Sequence, residues 1–197
     1  MKNYSNILKK LGFVLPIIIV LIIIDLVTKE IAQANLQFKP SVTYLGGFIK
    51  LVYAENTGGM LSFGSSIPEF FKVLIFQFFV FGLLLFLLGY IVYKDDLTKI
   101  QTSAFLLFLG GGFGNLIDRF FNDGKVIDFI LLQAGGIHTG IFNVADMYVT
   151  TGVGLILVAA IMEKYSERKN VEMLKRKEAE KEEHGEIENV ESKNGSL

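Results

Sequence analysis

The chain contains no cysteine, which excludes disulfides, thiolate metal sites and a cysteine nucleophile. Its two histidines, His138 and His184, lie far apart in sequence, so no His pair has metal-ligand spacing and no serine has an evident His partner. A formal net charge of -1 removes the electrostatic basis for a nucleic-acid partner. No internal repeat is apparent, and no linker sets off a second folded domain.

What is abundant is apolar surface. With 51% hydrophobic residues in 197, the chain is too apolar for a soluble domain of this size. Four stretches approach the ~20 apolar residues needed to cross a hydrocarbon core: roughly 11–31, 70–93, 102–120 and 141–162. The first is longer than the apolar core of a secretory signal and lacks a small-residue cleavage site ahead of Asp25 and Lys29, so it reads as a retained span.

The expected fold is therefore an all-α membrane protein with four transmembrane helices and a small extracytoplasmic β-rich segment. The transmembrane domain covers 1–162, and a platform lies at about 33–69. Residues 42–63 mix β-branched and aromatic side chains with glycine turns, the pattern of a hairpin, whereas 122–140 reads as a glycine-rich loop. Beyond residue 162 the chain is rich in Glu and Lys, and a frayed helix or disordered tail is expected. Lys2, Lys9 and Lys10, then Lys94 and Lys99, then Lys164, Arg168 and Lys169 flank the span ends, placing both termini in the cytoplasm.

Ionisable and amide side chains nevertheless sit inside these spans. At about 1.5 Å per helical residue, Asp25 lies roughly 22 Å above Lys10, Asn115 roughly 20 Å above Thr102 and Asp146 roughly 25 Å above Glu163. They share one level, near the outer edge of a hydrocarbon core about 30 Å thick, where Asn56 and Asp128 can enter from the outer connections. Gly111, Asn115 and Asp118 share one helical face, as do Asn143, Asp146 and Thr150, and Gly110, Gly111, Gly112 and Gly114 permit close helix packing.

Taken singly, these Asn and Thr residues could be interhelical glue, and an Asp near an interface can reach polar surroundings. Taken together they form an expensive set, since each central Asp costs roughly 2.5–3.5 kcal/mol on insertion scales and intramembrane charges mark functional sites. Two carboxylates can share a proton, one acting as base toward water and the other as acid toward a carbonyl oxygen or leaving amine. Asp128 and Asp146 are the candidate pair; for Asp128 a solvated loop carboxylate is the alternative. A proton-coupled transporter would also carry such charges, but with inverted halves and a pathway to both sides. A purely structural membrane protein would tolerate loss of both Asp.

The ordered motifs DLVTK (25–29), NTGGMLSF (56–63), GGGFGNLIDR (110–119), VIDF (126–129) and FNVAD (142–146) resemble those of the lipoprotein signal peptidase family, signal peptidase II. The resemblance implies an aspartic intramembrane endopeptidase of the bacterial inner membrane, multi-pass, with its site near the extracytoplasmic face. Its substrates would be prolipoproteins, cut just before a diacylglyceryl-modified cysteine. It puts the catalytic dyad on Asp128 and Asp146, and site-shaping or substrate-binding roles on Asp25, Lys29, Asn56, Gly111, Asn115, Arg119, Asn143 and Ala145; Asp118 reads as supporting structure or an Arg partner rather than as a catalyst. It implies no metal and no cofactor, membrane lipid as surroundings, a monomer, and sensitivity to cyclic peptide antibiotics. Leu26 stands where Gln is common in the family, and Gly59 and Gly112 where Ala is common, substitutions expected to loosen packing but spare the chemistry.

Overall fold

A computed structural model describes residues 4–58 and 68–194. Its elements in chain order are helix α1 (Tyr4–Leu36), strands β1 (Val42–Tyr44) and β2 (Ile49–Asn56), helix α2 (Glu69–Val73), a π-helical turn (Leu74–Phe79), helices α3 (Val80–Tyr93) and α4 (Lys99–Phe121), strands β3 (Val126–Ala134) and β4 (Ile137–His138), and helix α5 (Val144–Asn194). The chain divides into a unit Met1–Ile156, which holds the sheet and the packed helices, and a unit Leu157–Leu197. Within the latter the described residues continue α5, so the charged tail is helical as far as Asn194.

Among the described residues, three helices are long and apolar enough to cross a membrane: Tyr4–Leu36, Lys99–Phe121 and Val144–Leu174. The segment 69–93 is helical throughout but broken by the π turn, and only Gln77–Tyr93 forms a shorter apolar stretch. On α1 the buried residues Val14, Ile18, Asp25, Lys29, Ala32 and Leu36 recur at steps of three, four and seven, so a single stripe faces inward. The rest of α1 shows Phe13, Ile19, Val20, Ile23, Val27 and Ile31 to the exterior, the distribution suited to a lipid solvent. Val14 and Ile18 meet Leu84 and Ile91 of α3 and Leu106, Leu109 and Leu116 of α4 in one apolar core.

Helix α4 begins with a capping box: Thr98 accepts from the Gln101 amide, and the Gln101 side chain accepts from the Thr98 amide. Its glycines then let neighbours close in from several sides. A Cβ on Gly110 would strike Leu21 of α1, one on Gly112 would strike Leu84 of α3, one on Gly114 would strike Asp25, and one on Gly111 would strike the Ala145 carbonyl of α5.

The sheet has strand order β1-β2-β3-β4, all antiparallel. The hairpin expected from 42–63 is present as β1 and β2, with residues 59–67, including Gly59, outside the described residues. The expectation of a loop over 122–140 is corrected: VIDFILLQA forms β3, the strand that pairs with β2. A run of β-branched, aromatic and leucine side chains lies between turns at Gly124 and Gly135–Gly136, whose φ angles are all positive. Reading the glycines as loop composition hid the strand that they delimit.

Candidate active site

The β2–β3 register sets the first half of the site. Ala54 lies opposite Asp128 and Asn56 opposite Val126, so Asn56 and Asp128 are diagonal neighbours on one face, past a bulge between Leu51 and Ala54. The Asn56 amide donates to Asp128 Oδ2 at 2.9 Å, and its oxygen accepts from the Gly58 amide at 2.9 Å. A one-residue slip would turn Asp128 to the opposite face.

The other half is the start of α5. Phe142 pairs with Ile130 of β3 in an isolated bridge, so the helix begins at Val144, later than the 141 expected for a span, and Asn143 is its N-cap. Asn143 Oδ1 accepts from the Asp146 amide at 2.9 Å, while Asp146 Oδ2 accepts from the Asn143 amide at 3.3 Å. This is a reciprocal cap in which the acid at the third helical position is Asp146. Next to it, the Ala145 amide donates to Asp25 Oδ1 of α1 at 2.8 Å, which satisfies another orphan donor of the helix start.

Asn143 and Asn115 join the two carboxylates. The Asn143 side-chain Nδ2 lies 2.7 Å from Asp128 Oδ1, 3.2 Å from the Ile127 carbonyl and 3.1 Å from Asn115 Oδ1. The Asn115 nitrogen in turn donates to Asp146 Oδ1 at 2.9 Å. Asp128 is 2% exposed, and burial pushes its carboxyl up to about 6; the charge of Asp146 acts in the same direction, and hydrogen bonds from Asn56 and Asn143 oppose it.

Beneath this pair lies a buried ionic cluster. Lys29, 1% exposed, pairs with Asp25 Oδ2 at 2.7 Å and Asp118 Oδ2 at 3.0 Å, and donates to Asn115 Oδ1 at 2.9 Å. Asp118 also accepts from the Ile127 amide at 3.1 Å, tying α4 to β3 one residue before Asp128. Asp118 thus has Lys29 as its ion-pair partner and an amide of β3 as its hydrogen-bond donor. Arg119 donates to the Gly58 carbonyl at 2.8 Å and the Asn115 carbonyl at 3.2 Å, so it holds the chain leaving β2 against α4.

All ten residues singled out from sequence converge here: Asp25, Lys29, Asn56, Gly111, Asn115, Arg119, Asp128, Asn143, Ala145 and Asp146. Thr150, one turn past Asp146 on α5 and expected on its face, is exposed instead. Two further contributors went unread: the carbonyl of Gly58, and Gln77 in the π turn, which donates to the Arg119 carbonyl at 3.2 Å. The apolar environment of Gln77 was the available signal. Among the described residues, no group of three or more potential ligands is arranged for a metal ion.

Residues 17–162 match the family model of signal peptidase (SPase) II. The lipoprotein signal peptidase of Treponema denticola is 33% identical over 153 residues, which cover 74% of this chain and 88% of that relative. That of Francisella tularensis subsp. novicida is 35% identical, covering 77% and 92%. A bacterial membrane enzyme solved by the in meso method at 2.3 Å shares the fold with a TM-score of 0.68 and 27% identity, over 78% of this chain and 90% of the other. The five motifs around the two buried aspartates fall inside the matched span, and the chain belongs to the signal peptidase II family of proteases.

Proposed function

We propose that this chain removes signal peptides from diacylglyceryl-modified bacterial prolipoproteins, cutting before the lipidated cysteine with Asp128 and Asp146 as the catalytic dyad. The observation that carries the reading is the hydrogen-bonded path Asp128–Asn143–Asn115–Asp146, which holds two carboxylates in one buried network where they can share a proton.

In the mechanism, the ionised carboxylate takes a proton from water as the water oxygen adds to the scissile carbonyl carbon. The protonated carboxyl gives its proton to the carbonyl oxygen. Collapse then reverses the roles: one Asp takes a proton from the gem-diol, the C–N bond breaks, and the other Asp returns a proton to the leaving nitrogen. Asn143 and Asn115 orient the carboxylates, Lys29 offsets the charge beneath them, and Arg119 braces the 58 carbonyl beside the cleft.

Span 69–93 is the fourth crossing in this reading: 25 helical residues rise about 37 Å, enough for the bilayer core. Both termini face the cytoplasm, residues 163–197 form a solvated extension there, and the sheet with the dyad lies toward the extracytoplasmic face of the inner membrane. Residues 33–69 act as the platform over the site. The enzyme works as a monomer and is open to cyclic peptide inhibitors that occupy the cleft.

The test is cleavage of a diacylglyceryl-modified prolipoprotein by purified protein in lipid, read by gel shift. Wild type should cleave, and Asp128→Asn and Asp146→Asn, present at normal abundance, should not. An intact, correctly lipidated substrate after incubation with folded wild type would overturn the reading.

A further inference from the structure

The end of the bundle remote from the dyad carries a second constructed feature. There, α1 and α4 border an apolar groove of about 640 Å³ in which Phe13, Ile17 and Leu21 face Leu106 and Leu107. Phe13, Leu97 and Thr102 also line an adjoining cavity of about 320 Å³ rimmed by Lys9, Lys10 and Lys94. Lys99, at the first position of α4, stands at the mouth of the larger groove.

The four lysines are not equivalent. Lys10 is committed to Asp95 at 2.6 Å and to the Lys94 carbonyl at 2.6 Å, and Lys94 pairs with Asp96 at 3.7 Å while lying over the Tyr90 ring. Lys9 and Lys99 have no acidic partner among the described residues. Exposed Lys9 at the rim of the smaller cavity, and exposed Lys99 with the positive end of the α4 dipole at the mouth of the larger groove, therefore flank a mostly apolar channel. From Phe13 to Leu21 the groove follows about 12 Å of helix, most of one leaflet's share of a hydrocarbon core about 30 Å thick, and runs in the direction of an acyl chain.

We infer that this groove binds an anionic glycerophospholipid of the inner leaflet, its phosphate between Lys9 and Lys99 and one acyl chain between α1 and α4. Charge complementarity selects the headgroup, and the apolar walls accept the chain. Lys99 and Asn115 are 16 residues apart on α4, about 24 Å, so this lipid is distinct from any lipid carried by a substrate at the dyad. The inference rests on the membrane reading and is independent of the protease reading.

The experiment is native mass spectrometry of the full chain released from mixed micelles. Each micelle contains phosphatidylglycerol or phosphatidylcholine with identical acyl chains. Wild type should retain one phosphatidylglycerol in preference to phosphatidylcholine. Lys9→Gln with Lys99→Gln should reduce that preference by about fivefold for each lysine. Ser103→Trp, which fills the groove from an exposed position, should lower retention of both lipids. Lys164→Gln with Lys169→Gln removes the same charge elsewhere and should leave the preference intact. Equal retention of the two lipids by wild type would overturn the inference. So would an equal loss of preference in both double variants, which would mean that only diffuse surface charge is read. Cleavage activity does not enter the readout, so the proposed function and this site can fail separately.

Discussion

Asn143 and Asp146 cap one another: each accepts from the other's backbone amide, at 2.9 and 3.3 Å, while the Asn143 side chain also reaches Asp128 at 2.7 Å. One asparagine thus starts a transmembrane helix and aligns both carboxylates of the proposed dyad. The two roles are separable. Asn143→Ala should cost about 1 kcal/mol of stability from the lost cap, up to about 2. Cleavage should also fall by at least about 100-fold if the aligned carboxyls supply general acid–base catalysis. Asn143→Ser retains a capping hydroxyl but cannot span to Asp128, so thermal unfolding should return close to wild type while cleavage stays low. Recovery of both together would show that the cap alone matters.

Lys29 is a buried cation between two buried carboxylates, Asp25 and Asp118. Replacing it with Met leaves both without their counter-charge, and breaking buried pairs in this way typically costs about 3–5 kcal/mol. Lys29→Met should therefore unfold at markedly lower temperature in detergent, and adding Asp118→Asn should restore part of the loss. A Lys29→Met protein as stable as wild type would show that the cluster is not held as an ionic unit.

The glycines of α4 predict a graded series. A methyl group on Gly111 meets the backbone carbonyl of Ala145, which is fixed by the cap, so Gly111→Ala should push α5 away and reduce cleavage by at least tenfold, about 1.4 kcal/mol of transition-state binding. On Gly112 it meets only the end of the Leu84 side chain at 2.6 Å, which can rotate away. Gly112→Ala should change the unfolding temperature and the cleavage rate little. The looser packing expected at Gly112 is not what is found, since buried Leu84 closes into the space that a methyl would take.

The pH dependence has a defined sign. Asp128 holds its proton up to about 6, and the charge on Asp146 helps to hold it, so the singly protonated dyad gives way to the doubly ionised one as pH rises through that value. kcat/KM should decline above about pH 6 in a profile measured on a non-titrating substrate. The same linkage acts on folding. An unfolded Asp titrates near 3.9, so the folded chain binds the extra proton between about pH 4 and 6, and stability from this group falls as pH rises across that window. Asp128→Asn should flatten that part of the unfolding profile; an unchanged slope would remove Asp128 as its source.

Much of the site was legible because membrane physics makes polar residues conspicuous. Asp25, Lys29, Asn115 and Asp118 stand out in apolar runs, and helical rise alone puts them at one depth, where the ionic cluster is found. The β3 strand was harder to read. Its run VIDFILL, apolar except for Asp128, carries no period-two alternation because both faces are covered near Asp128, and its flanking glycines resemble a loop.

By itself the sequence determined the membrane class, the helices that form and the set of polar residues that must find one another, because hydrocarbon leaves a buried charge no other partner. Only the tertiary structure decided how they pair. The β2–β3 register brought Asn56 to Asp128, and the bridge between Phe142 and Ile130 moved the start of α5 to Val144. That shift made Asn143 a cap. Register and helix start depend on contacts between segments far apart in the chain, and no local pattern of residues encodes them.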